Sequence, residues 1–386
     1  MASTEGRPRR AGAKAHSQAG AILEIDLDAI AANYKHLVDR VGSTVRVAAV
    51  VKADAYGLGV EKVAPALARA GAKSFFVATL EEGLALRELL PRAQIAVLNG
   101  LVMGAPADFA KAALVPVLND LGQIAAWQGY AAKRGGAPAM LHLDTGMARL
   151  GLPPKETQRL INEPSRLEGF SLALILSHLA CAGEAAHPMN EAQLDAFRAA
   201  LKRLPSAPAS LAASSGMFLG GDFLFDAVRI GAALYGVNPI PGRPNPMRQV
   251  VRLKAKILQV RDVDRGESVG YGAAHRIEKP TRIATIAMGY ADGWLRSSSH
   301  RGSARIAGKP APVVGQISMD LLTLDVTGHD PATLIPGSYA ELLDERYGVD
   351  DAALAAQTIG YEILTSLGSR FHRIYRGGPT RGDRGR

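Results

Sequence analysis

The stretch Val51-Lys52-Ala53-Asp54-Ala55-Tyr56-Gly57-Leu58-Gly59 follows directly on the short apolar run 45–51. In barrels of parallel strands, residues at the carboxyl ends of the strands face the active site. An ammonium group at such a position loses hydration, which lowers its pKa and makes the neutral amine available for covalent catalysis. Taken alone, Lys52 also fits a lysine whose carbon stem lies along an apolar surface while its charged end reaches water. The role of this lysine therefore depends on the surrounding fold.

Short apolar runs of this kind recur along the first part of the chain and alternate with longer amphipathic stretches, such as 80–90 and 190–204. The alternation predicts repeated strand–helix units and a parallel sheet. Eight units favour a closed (β/α)8 barrel, and an open doubly wound sheet remains the alternative on periodicity alone. The predicted strands are 45–51, 74–78, 95–98, 114–118, 140–143, 172–177, 210–213 and 227–230.

The pattern changes after about residue 245, where β-like runs are separated by Gly and Pro and little helical periodicity remains. A proline-rich link at 239–246 marks the predicted boundary. We expect a barrel domain over 22–244, a β-rich domain over 245–376, and disordered basic tails at 1–21 and 377–386. The elements predicted in the second domain are strands at 250–260, 282–288, 303–306, 321–326, 339–342 and 371–375, with a helical piece at 351–367.

The net charge of +9 is concentrated at the ends of the 386-residue chain, because residues 1–20 and 376–386 each carry a net charge of +3. Basic tails can contact nucleic acid or anionic lipid, but no aromatic residues are interleaved here, which favours solvated disordered tails. Cys181 is the single cysteine and cannot form an internal disulfide, and the N-terminal stretch lacks the apolar segment of a secretory signal. We expect a cytoplasmic protein with no membrane span, no nucleic-acid partner and no metal site.

The lysine segment resembles the cofactor-lysine motif of the alanine racemase family, and six further segments resemble motifs of that family in the same order. The resemblance extends from about residue 22 to residue 376. It implies an α/β fold, with a (β/α)8 TIM-type barrel followed by a mostly β C-terminal domain. The six segments are Leu143-Asp144-Thr145-Gly146-Met147-Ala148-Arg149-Leu150-Gly151, Ser177-His178-Leu179, Val228-Arg229-Ile230-Gly231, Val269-Gly270-Tyr271-Gly272, Gly289-Tyr290-Ala291-Asp292-Gly293 and Ser318-Met319-Asp320.

The resemblance also implies an activity. The expected reaction is interconversion of L- and D-alanine with pyridoxal 5′-phosphate, supplying D-alanine for peptidoglycan, in a homodimer whose active sites are shared between subunits. Lys52 and Tyr271 are the implied catalytic bases, and two are needed because a proton leaves one face of a planar carbanion and returns to the opposite face. Tyrosine normally titrates near pH 10, so a phenolate base needs help from its surroundings. His178 and Arg229 are implied to link Tyr271 to the cofactor ring.

Further positions acquire roles from the same resemblance. Arg229 is implied to face the pyridine nitrogen, where its fixed positive charge provides no proton and favours racemisation over transamination. The Arg149 guanidinium, a planar bidentate donor, and the backbone at Met319 are implied to take the substrate carboxylate. Three residues are expected to support the site or line its entrance, namely His142, Tyr290 and Asp320. The implied cofactor-binding set is Lys52, Tyr56, His178, Ser215, Arg229, Gly231, Ala232 and Tyr361.

Two positions depart from the family pattern. His142 stands where most members have a lysine that is often carbamylated, so Arg149 needs another orienting group, with His142 itself, a chloride ion or water as candidates. Ser214 stands where asparagine usually precedes the phosphate serine. The alternatives are a racemase of serine, lysine or a broader set of amino acids, and a non-enzymatic pyridoxal-phosphate carrier, which would lack the second domain. A decarboxylase of similar layout would need an acidic residue in place of Arg229.

Overall fold

The computed structural model describes residues 18–101 and 106–378. These residues form two compact units. The barrel unit consists of residues 26–250 with 377–378, and the β unit consists of residues 18–25 with 251–376. Within the described ranges, no helix is both long and apolar enough to cross a membrane. The disorder predicted for the two ends of the chain falls largely on 1–17 and 379–386, which lie outside the described residues.

Strands and helices alternate along the barrel unit, as the repeated apolar runs predict. The α-helices of the described residues are Leu27–Val41, Val60–Arg69, Leu80–Leu89, Pro106–Lys111, Leu121–Ala131, Pro154–Asn162, Met189–Leu201, Val349–Ala356 and Gly360–Ser366, together with the short segment Lys52–Tyr56. The strands are β1 (Ala21–Asp26), β2 (Arg46–Val50), β3 (Ser74–Val77), β4 (Gln94–Val97), β5 (Val115–Leu118), β6 (Pro138–His142), β7 (Ser171–Leu176), β8 (Ala209–Ser210), β9 (Ala227–Ile230), β10 (Val251–Val263), β11 (Ser268–Val269), β12 (His275–Arg276), β13 (Thr281–Ile286), β14 (Ser303–Ile306), β15 (Lys309–Val314), β16 (Leu322–Asp325), β17 (Tyr339–Leu343) and β18 (His372–Arg376).

Eight parallel strands form the sheet of the barrel unit, in the order β8-β7-β6-β5-β4-β3-β2-β9. Strands β2 and β9 pair directly, with Arg46 opposite Ala227. The two ends of this order meet at a parallel bridge between Ala213 and Arg229, and the Arg229 N–H donates to the Ala212 carbonyl at 3.1 Å. The ring of strands is therefore nearly closed, which confirms the predicted barrel and excludes the open doubly wound sheet.

Polar caps start two helices of the barrel unit directly after a strand. Thr79 and Glu82 form a capping box after β3, and the Asp120 carboxylate accepts the Gln123 N–H at 2.8 Å after β5. Such caps satisfy amide groups that a helix leaves unpaired, and each contributes about 1 kcal/mol. The loops at the carboxyl ends of these strands are consequently short and fixed, which is where a barrel places its functional residues.

An antiparallel sheet makes up the β unit, in the order β13-β16-β15-β14-β17-β10-β1-β18, and β13 also pairs with β10. The long strand β10 is central, since it pairs with β1, β13 and β17. The buried Glu24 carboxylate of β1 contacts Lys254 of β10 at 2.9 Å and Arg376 of β18 at 2.5 Å. These ion pairs connect three neighbouring strands of the sheet.

The β unit differs from the sequence-based expectation at its edges. Strand β1 pairs with β10, with Ala21 opposite Ala255, so residues 22–25 belong to the β unit and not to the barrel domain expected over 22–244. The second division lies at residue 251 instead of 245. Strand β15 was not predicted, because it contains Pro310 and Pro312 and proline donates no hydrogen bond to a neighbouring strand.

Candidate functional site

The lysine turn, Lys52–Tyr56, begins where β2 ends, at the carboxyl-end edge of the barrel sheet. Residues 53–56 all have positive φ angles, between 53° and 56°, so the backbone winds in the left-handed sense. For residues other than glycine this conformation costs about 1–2 kcal/mol each. A run of such residues persists only where surrounding contacts hold it, and strain of this kind is concentrated at functional sites.

Several hydrogen bonds hold the lysine turn. The Gly57 N–H donates to the Ala53 carbonyl at 2.7 Å. The Asp54 carboxylate accepts the N–H of Val60, the first residue of the following helix, at 2.7 Å. The Ala53 N–H donates to the Glu82 carboxylate at 2.6 Å. The turn is therefore tied both to its own continuation and to a helix that begins elsewhere in the barrel unit.

Lys52 is half-buried in the vicinity of two charged side chains. Burial lowers the pKa of its ammonium group, the positive charge of Arg149 lowers it further, and the Glu82 carboxylate opposes both effects. A lowered pKa increases the fraction of neutral amine at neutral pH, which a nucleophilic lysine requires.

Arg229, on β9, carries a buried positive charge in the barrel interior. Its guanidinium donates to the Ser210 carbonyl at 2.9 Å, to the Ser210 hydroxyl at 2.5 Å, and to the carbonyls of Ser177 and Leu211. These acceptors offset the lost hydration of the guanidinium. Burial lowers the pKa of Arg229 to about 10, so the group remains charged at neutral pH.

Two histidines lie close enough to Arg229 to be affected by its charge. Burial and then the charge of Arg229 lower the pKa of His142 to about 4 and that of His178 to about 3. Both imidazoles are therefore neutral at pH 7, and neither adds to the positive charge of the site.

Asn119 determines the tautomer of His142. The Asn119 amide nitrogen donates to the carbonyls of Leu98 at 3.0 Å and Val117 at 2.8 Å, so the amide oxygen is the group that faces His142 Nδ1 at 2.8 Å. Nδ1 therefore carries the proton, and Nε2 of the neutral ring is an acceptor. Arg149 is one of the charges that act on this histidine.

A small polar cup surrounds Gly231, the residue that follows β9. A Cβ atom at position 231 would lie 2.3 Å from the Tyr56 hydroxyl oxygen, so only glycine leaves the necessary room. The Ser214 hydroxyl accepts the N–H groups of Gly231 at 3.1 Å and Ala233 at 3.3 Å. Tyr56 packs against the ring of Tyr235, with centroids 4.7 Å apart. Hydroxyls and backbone amides at this end of a barrel suit a phosphate group.

Ser215 and Ala232 belong to the chain segments that form this cup. Ser215 precedes the 3-10 turn Gly216–Phe218, and among the described residues its hydroxyl makes no capping hydrogen bond. Ala232 is buried and begins the turn Ala232–Tyr235. Ser214, the departure from the family pattern, is thus the residue that contacts the Gly231 amide.

Asp144 organises the loop after β6 that presents Arg149. The Asp144 carboxylate accepts the N–H groups of Gly146 and Met147 at 2.9 Å and that of Ala148 at 3.1 Å. Arg149 follows directly and is exposed. Its guanidinium offers a planar pair of donors, which suits a carboxylate group.

The predicted residues of the β unit are mainly exposed. Tyr271 lies in the turn between β11 and β12 and is 71% exposed, and Met319 and Tyr290 are also exposed. Tyr361 is partly exposed near the start of the helix Gly360–Ser366. The Tyr290 N–H donates to the Ser318 carbonyl at 3.1 Å, which joins the loop of Tyr290 to that of Met319.

Arg370 reinforces the connection between these two loops. Its guanidinium contacts the Asp292 carboxylate at 3.2 Å and the Asp320 carboxylate at 2.7 Å. A Cβ atom at Gly289 would lie 2.3 Å from the Met319 carbonyl oxygen, so glycine permits the close approach of the loops. Met319, Tyr290 and Asp320 are therefore presented by one connected structure.

The structure thus brings the predicted residues together in two groups, one in each unit. Electrostatic interaction joins Lys52, Arg149, His142, His178 and Arg229 in the barrel unit. In the β unit Tyr290, Met319 and Asp320 share linked loops, whereas Tyr271 and Tyr361 lie on separate segments. Throughout the described ranges, no group of three His, Cys, Asp or Glu side chains could hold a metal ion.

Two residues that hold the site residues of the barrel unit in place were not predicted, namely Glu82 and Asn119. The Thr79-x-x-Glu82 spacing is the signature of a capping box and could have identified Glu82 as a helix cap. It does not indicate the contact with Ala53, which lies 29 positions away. Asn119 has no local signal, because its partner His142 is also distant in the chain.

The barrel group fits the chemistry of pyridoxal 5′-phosphate. An amine with a lowered pKa suits its aldehyde, and the cup of hydroxyls and amides at Tyr56, Ser214 and Gly231 suits its phosphate. The buried charge of Arg229 suits a ring nitrogen that accepts a hydrogen bond without being protonated.

Comparison with known proteins supports this interpretation. The chain matches the family description "Alanine racemase, N-terminal domain" over residues 25–239 and "Alanine racemase, C-terminal domain" over residues 250–375. The alanine racemase of Rhodospirillum rubrum is 49% identical over 93% of this chain and 97% of its own length. A Mesorhizobium japonicum protein named "Alanine racemase, catabolic" is 48% identical over 93% of this chain and 94% of its own length.

A solved structure supports the same assignment. The crystal structure of alanine racemase from Bartonella henselae with covalently bound pyridoxal phosphate has a TM-score of 0.89 and 44% sequence identity, covering 92% of this chain and 99% of that one. The matches include both units and nearly the full length of each relative. The chain therefore belongs to the alanine racemase family.

Proposed function

We propose that this chain interconverts L- and D-alanine with pyridoxal 5′-phosphate attached covalently to Lys52, and that Lys52 and Tyr271 are its two bases. The observation that carries the proposal is the position of Lys52: it stands at the carboxyl end of a barrel strand, in a left-handed turn, with its pKa lowered by burial. Close relatives named alanine racemase cover more than nine-tenths of the chain.

Pyridoxal phosphate, when bound, supplies an electron sink that makes the proton on the substrate α-carbon removable. The side chains of this protein supply the proton transfers. The Lys52 amine takes or returns the proton on one face of the α-carbon, and the Tyr271 hydroxyl acts on the other. A single side chain reaches only one face, so inversion needs both groups.

The cofactor-binding residues divide by the part of the cofactor they would hold. Tyr56, Ser215 and Tyr361 offer hydroxyl groups to the phosphate, and Ala232 offers its backbone amide. The Gly231 N–H donates to the Ser214 hydroxyl, so Gly231 serves the phosphate by leaving room beside the Tyr56 hydroxyl. At the ring, Arg229 and His178 supply a fixed charge and a neutral imidazole, respectively.

The charge of Arg229 serves reaction specificity in this proposal. A guanidinium with a pKa of about 10 gives the ring nitrogen no proton at neutral pH, which limits electron withdrawal and favours prompt reprotonation of the α-carbon. Arg229→Glu is expected to raise the ratio of transamination to racemisation, measured as pyruvate formed for each alanine inverted. An unchanged ratio in a folded variant that retains the cofactor would contradict this role.

Arg149 and the backbone at Met319 are proposed to hold the substrate carboxylate. His142 is neutral and has Nε2 as an acceptor, so it can orient the nearby guanidinium without repelling it. Since the family usually has lysine at this position, substrates other than alanine, such as serine and lysine, are the alternative.

The substrate is identified by incubating the holoenzyme with each L-amino acid separately and resolving the products by chiral chromatography. We expect alanine to have the highest kcat/KM. If serine or lysine has a higher kcat/KM than alanine, that amino acid is the preferred substrate. If the protein binds the cofactor but inverts no amino acid, it is a carrier of pyridoxal phosphate.

We propose a cytoplasmic homodimer with shared active sites, in which the partner copy supplies Tyr271. Tyr271, Leu354 and Ile359 of the β unit are all highly exposed, which supports a partner subunit that covers them. The variants Lys52→Ala and Tyr271→Phe are each expected to be inactive alone. When the two are unfolded and refolded together, activity should return, because one of the two active sites in each mixed dimer then contains both Lys52 and Tyr271. Absence of recovery in mixed dimers would exclude shared sites.

The biological role proposed is supply of D-alanine for peptidoglycan. One relative is named catabolic, so the two roles need to be separated by experiment. Deletion of the gene in its host should make growth depend on added D-alanine. If growth fails only when alanine is the carbon source, the role is catabolic.

A further inference from the structure

Glu82 makes more contacts than its place in a capping box requires. Its Oε2 accepts the Ala78 N–H at 2.7 Å and lies 3.4 Å from the Thr79 amide nitrogen, at the end of β3 and the start of the next helix. Its Oε1 accepts the N–H of Ala53 at 2.6 Å, in the lysine turn. One carboxylate therefore bridges the carboxyl ends of the neighbouring strands β2 and β3.

The hydrogen bond from the Ala53 N–H to Glu82 acts on the backbone directly beside Lys52. The N–H that donates to Glu82 belongs to the peptide group joining Lys52 to Ala53, so the carboxylate determines the orientation of that peptide plane. Ala53 also begins the run of positive φ angles. A hydrogen bond to a charged acceptor is about twice as strong as one between neutral groups, which suits a strained backbone that needs support.

Glu82 also provides a negative charge near Lys52. Within the described part of the chain, Lys52 interacts electrostatically with Arg149, Glu82 and His178, and Glu82 is the acidic member of this set. Its charge raises the pKa of Lys52, against the lowering caused by burial and by Arg149. A change at Glu82 is therefore expected to affect both the geometry and the protonation of the amine.

We propose that Glu82 is a positioning residue for Lys52, whose carboxylate clamps the lysine turn to the end of β3 and holds the amine in place for attachment of pyridoxal phosphate. The inference rests on the proposed role of Lys52 as the attachment site. Glu82 acts through the backbone of Ala53 and is not itself a base in the reaction.

The test measures cofactor attachment to the full-length apoprotein, independently of turnover. Pyridoxal phosphate is added at a series of pH values, and the rate at which the absorbance of the lysine-bound cofactor appears is recorded. In Glu82→Gln, the amide nitrogen cannot accept a hydrogen bond, so either the Ala53 N–H or the N–H groups of Ala78 and Thr79 lose their partner, and the bridge between the two strand ends is broken. We expect the plateau rate at high pH to fall about tenfold or more, because the amine is misplaced. The midpoint of the profile should move to lower pH, because the charge that raises the pKa of Lys52 is gone.

Two matched controls separate positioning from helix capping. Thr79→Ala removes the capping hydroxyl but leaves the Glu82 contact with Ala53, so it should lower the thermal unfolding temperature while keeping the wild-type plateau and midpoint. Glu81→Gln removes an adjacent exposed charge from the same helix turn and should also keep both values. A wild-type profile for Glu82→Gln, or an equal loss of plateau rate in Thr79→Ala, would overturn the proposal.

A second variant keeps the test decisive if Glu82→Gln does not fold. Glu82→Asp retains the charge but is one methylene shorter and cannot span both amides, so the plateau should fall while the midpoint stays closer to that of the wild type. A wild-type plateau in Glu82→Asp would refute the clamp. Lys52→Ala distinguishes failure of the underlying function: covalent attachment in that variant would reject Lys52 itself, whatever the behaviour of Glu82.

Discussion

The lysine turn of the barrel unit and the Tyr271 hairpin of the β unit carry the two proposed bases in contrasting surroundings. Lys52 is half-buried, and the backbone beside it is held by a carboxylate and by the next helix. Tyr271 is 71% exposed, between strands of only two residues each. The barrel unit thus surrounds the proposed base Lys52 with its own residues, whereas the β unit leaves the proposed base Tyr271 largely exposed.

The same contrast extends to the groups around each base. In the barrel unit, burial lowers the pKa values of the groups around Lys52, namely His142, His178 and Arg229. In the β unit, exposed residues are held by loop-to-loop contacts such as those of Arg370. Substitutions in the barrel group should therefore alter cofactor attachment and stability. Substitutions at Tyr271 should alter turnover alone.

Lys52→Ala is expected to have the largest effect. It removes both the attachment point and one base, so the absorbance of the bound cofactor should disappear and racemisation should fall by about 10⁴-fold or more. Lys62→Ala, an exposed lysine on the helix Val60–Arg69, is the control and should retain both properties. Covalent attachment in Lys52→Ala, detected by mass spectrometry after borohydride reduction, would locate the cofactor elsewhere.

Tyr271→Phe sharpens the comparison from the other side. It removes only a hydroxyl on an exposed hairpin, so cofactor absorbance and thermal unfolding should be unchanged, whereas kcat for alanine should fall by about 10²–10⁴-fold because one face of the α-carbon lacks a base. Tyr339→Phe, on β17 of the same unit, is the matched control. An active Tyr271→Phe enzyme would eliminate the two-base assignment.

The repeated barrel units were predictable from sequence because parallel strands covered on both faces read as short apolar runs. The runs 74–78 and 227–230 coincide within one residue with β3 and β9, and 303–306 coincides with β14. Strand β1 was missed because its sequence AILEID does not alternate apolar and polar residues, and because its partner β10 lies far along the chain. Local patterns thus identify elements, whereas pairing over long distances decides which unit they join.

The candidate site divides in the same way. Its proposed chemical residues were predicted from the resemblance of short motifs, starting from the lysine segment. The groups that fix them were not, because Glu82 and Asn119 act on residues 29 and 23 positions away. The neutral form of His142 likewise depends on burial and on the charge of Arg229, which no local pattern encodes.

The buried histidines predict how the stability of the barrel unit varies with pH. The pKa of His142 is about 4 in the folded chain and about 6.5 when unfolded. Below pH 6.5 the unfolded chain therefore binds a proton that the folded chain does not, and stability present above pH 6.5 is lost as the pH falls to about 4. At about 1.4 kcal/mol for each pH unit, the free energy of unfolding falls by about 3 kcal/mol across this range. His178 extends the loss towards pH 3.

Urea denaturation between pH 7 and pH 4 measures this dependence. His142→Gln should flatten the decline in unfolding free energy by about 3 kcal/mol over the window. His36→Gln, at an exposed position of the helix Leu27–Val41, should leave the slope unchanged. A wild-type slope in His142→Gln would mean that this histidine is not held neutral by the fold.

Gly231→Ala tests the cup and is expected to have the smallest effect. The added Cβ atom would lie 2.3 Å from the Tyr56 hydroxyl and 3.0 Å from Tyr56 Cζ, so one group must move. Overpacking of this kind costs about 1–3 kcal/mol, and where the cofactor-bound state bears this cost the Kd of the apoprotein for pyridoxal phosphate rises by about 5- to 150-fold. Gly129→Ala is the matched control, because a Cβ atom there meets no atom within 4 Å.

A double-mutant cycle with Tyr56→Phe isolates the clash from the loss of the hydroxyl itself. Removing the hydroxyl leaves only the longer contact with Cζ, so Gly231→Ala should weaken binding less in the Tyr56→Phe background than in the wild type. Equal penalties in both backgrounds would show that Gly231 is needed for a reason other than Tyr56, such as the geometry of the amide that Ser214 holds. The cycle therefore distinguishes a glycine required for space from one required for its backbone.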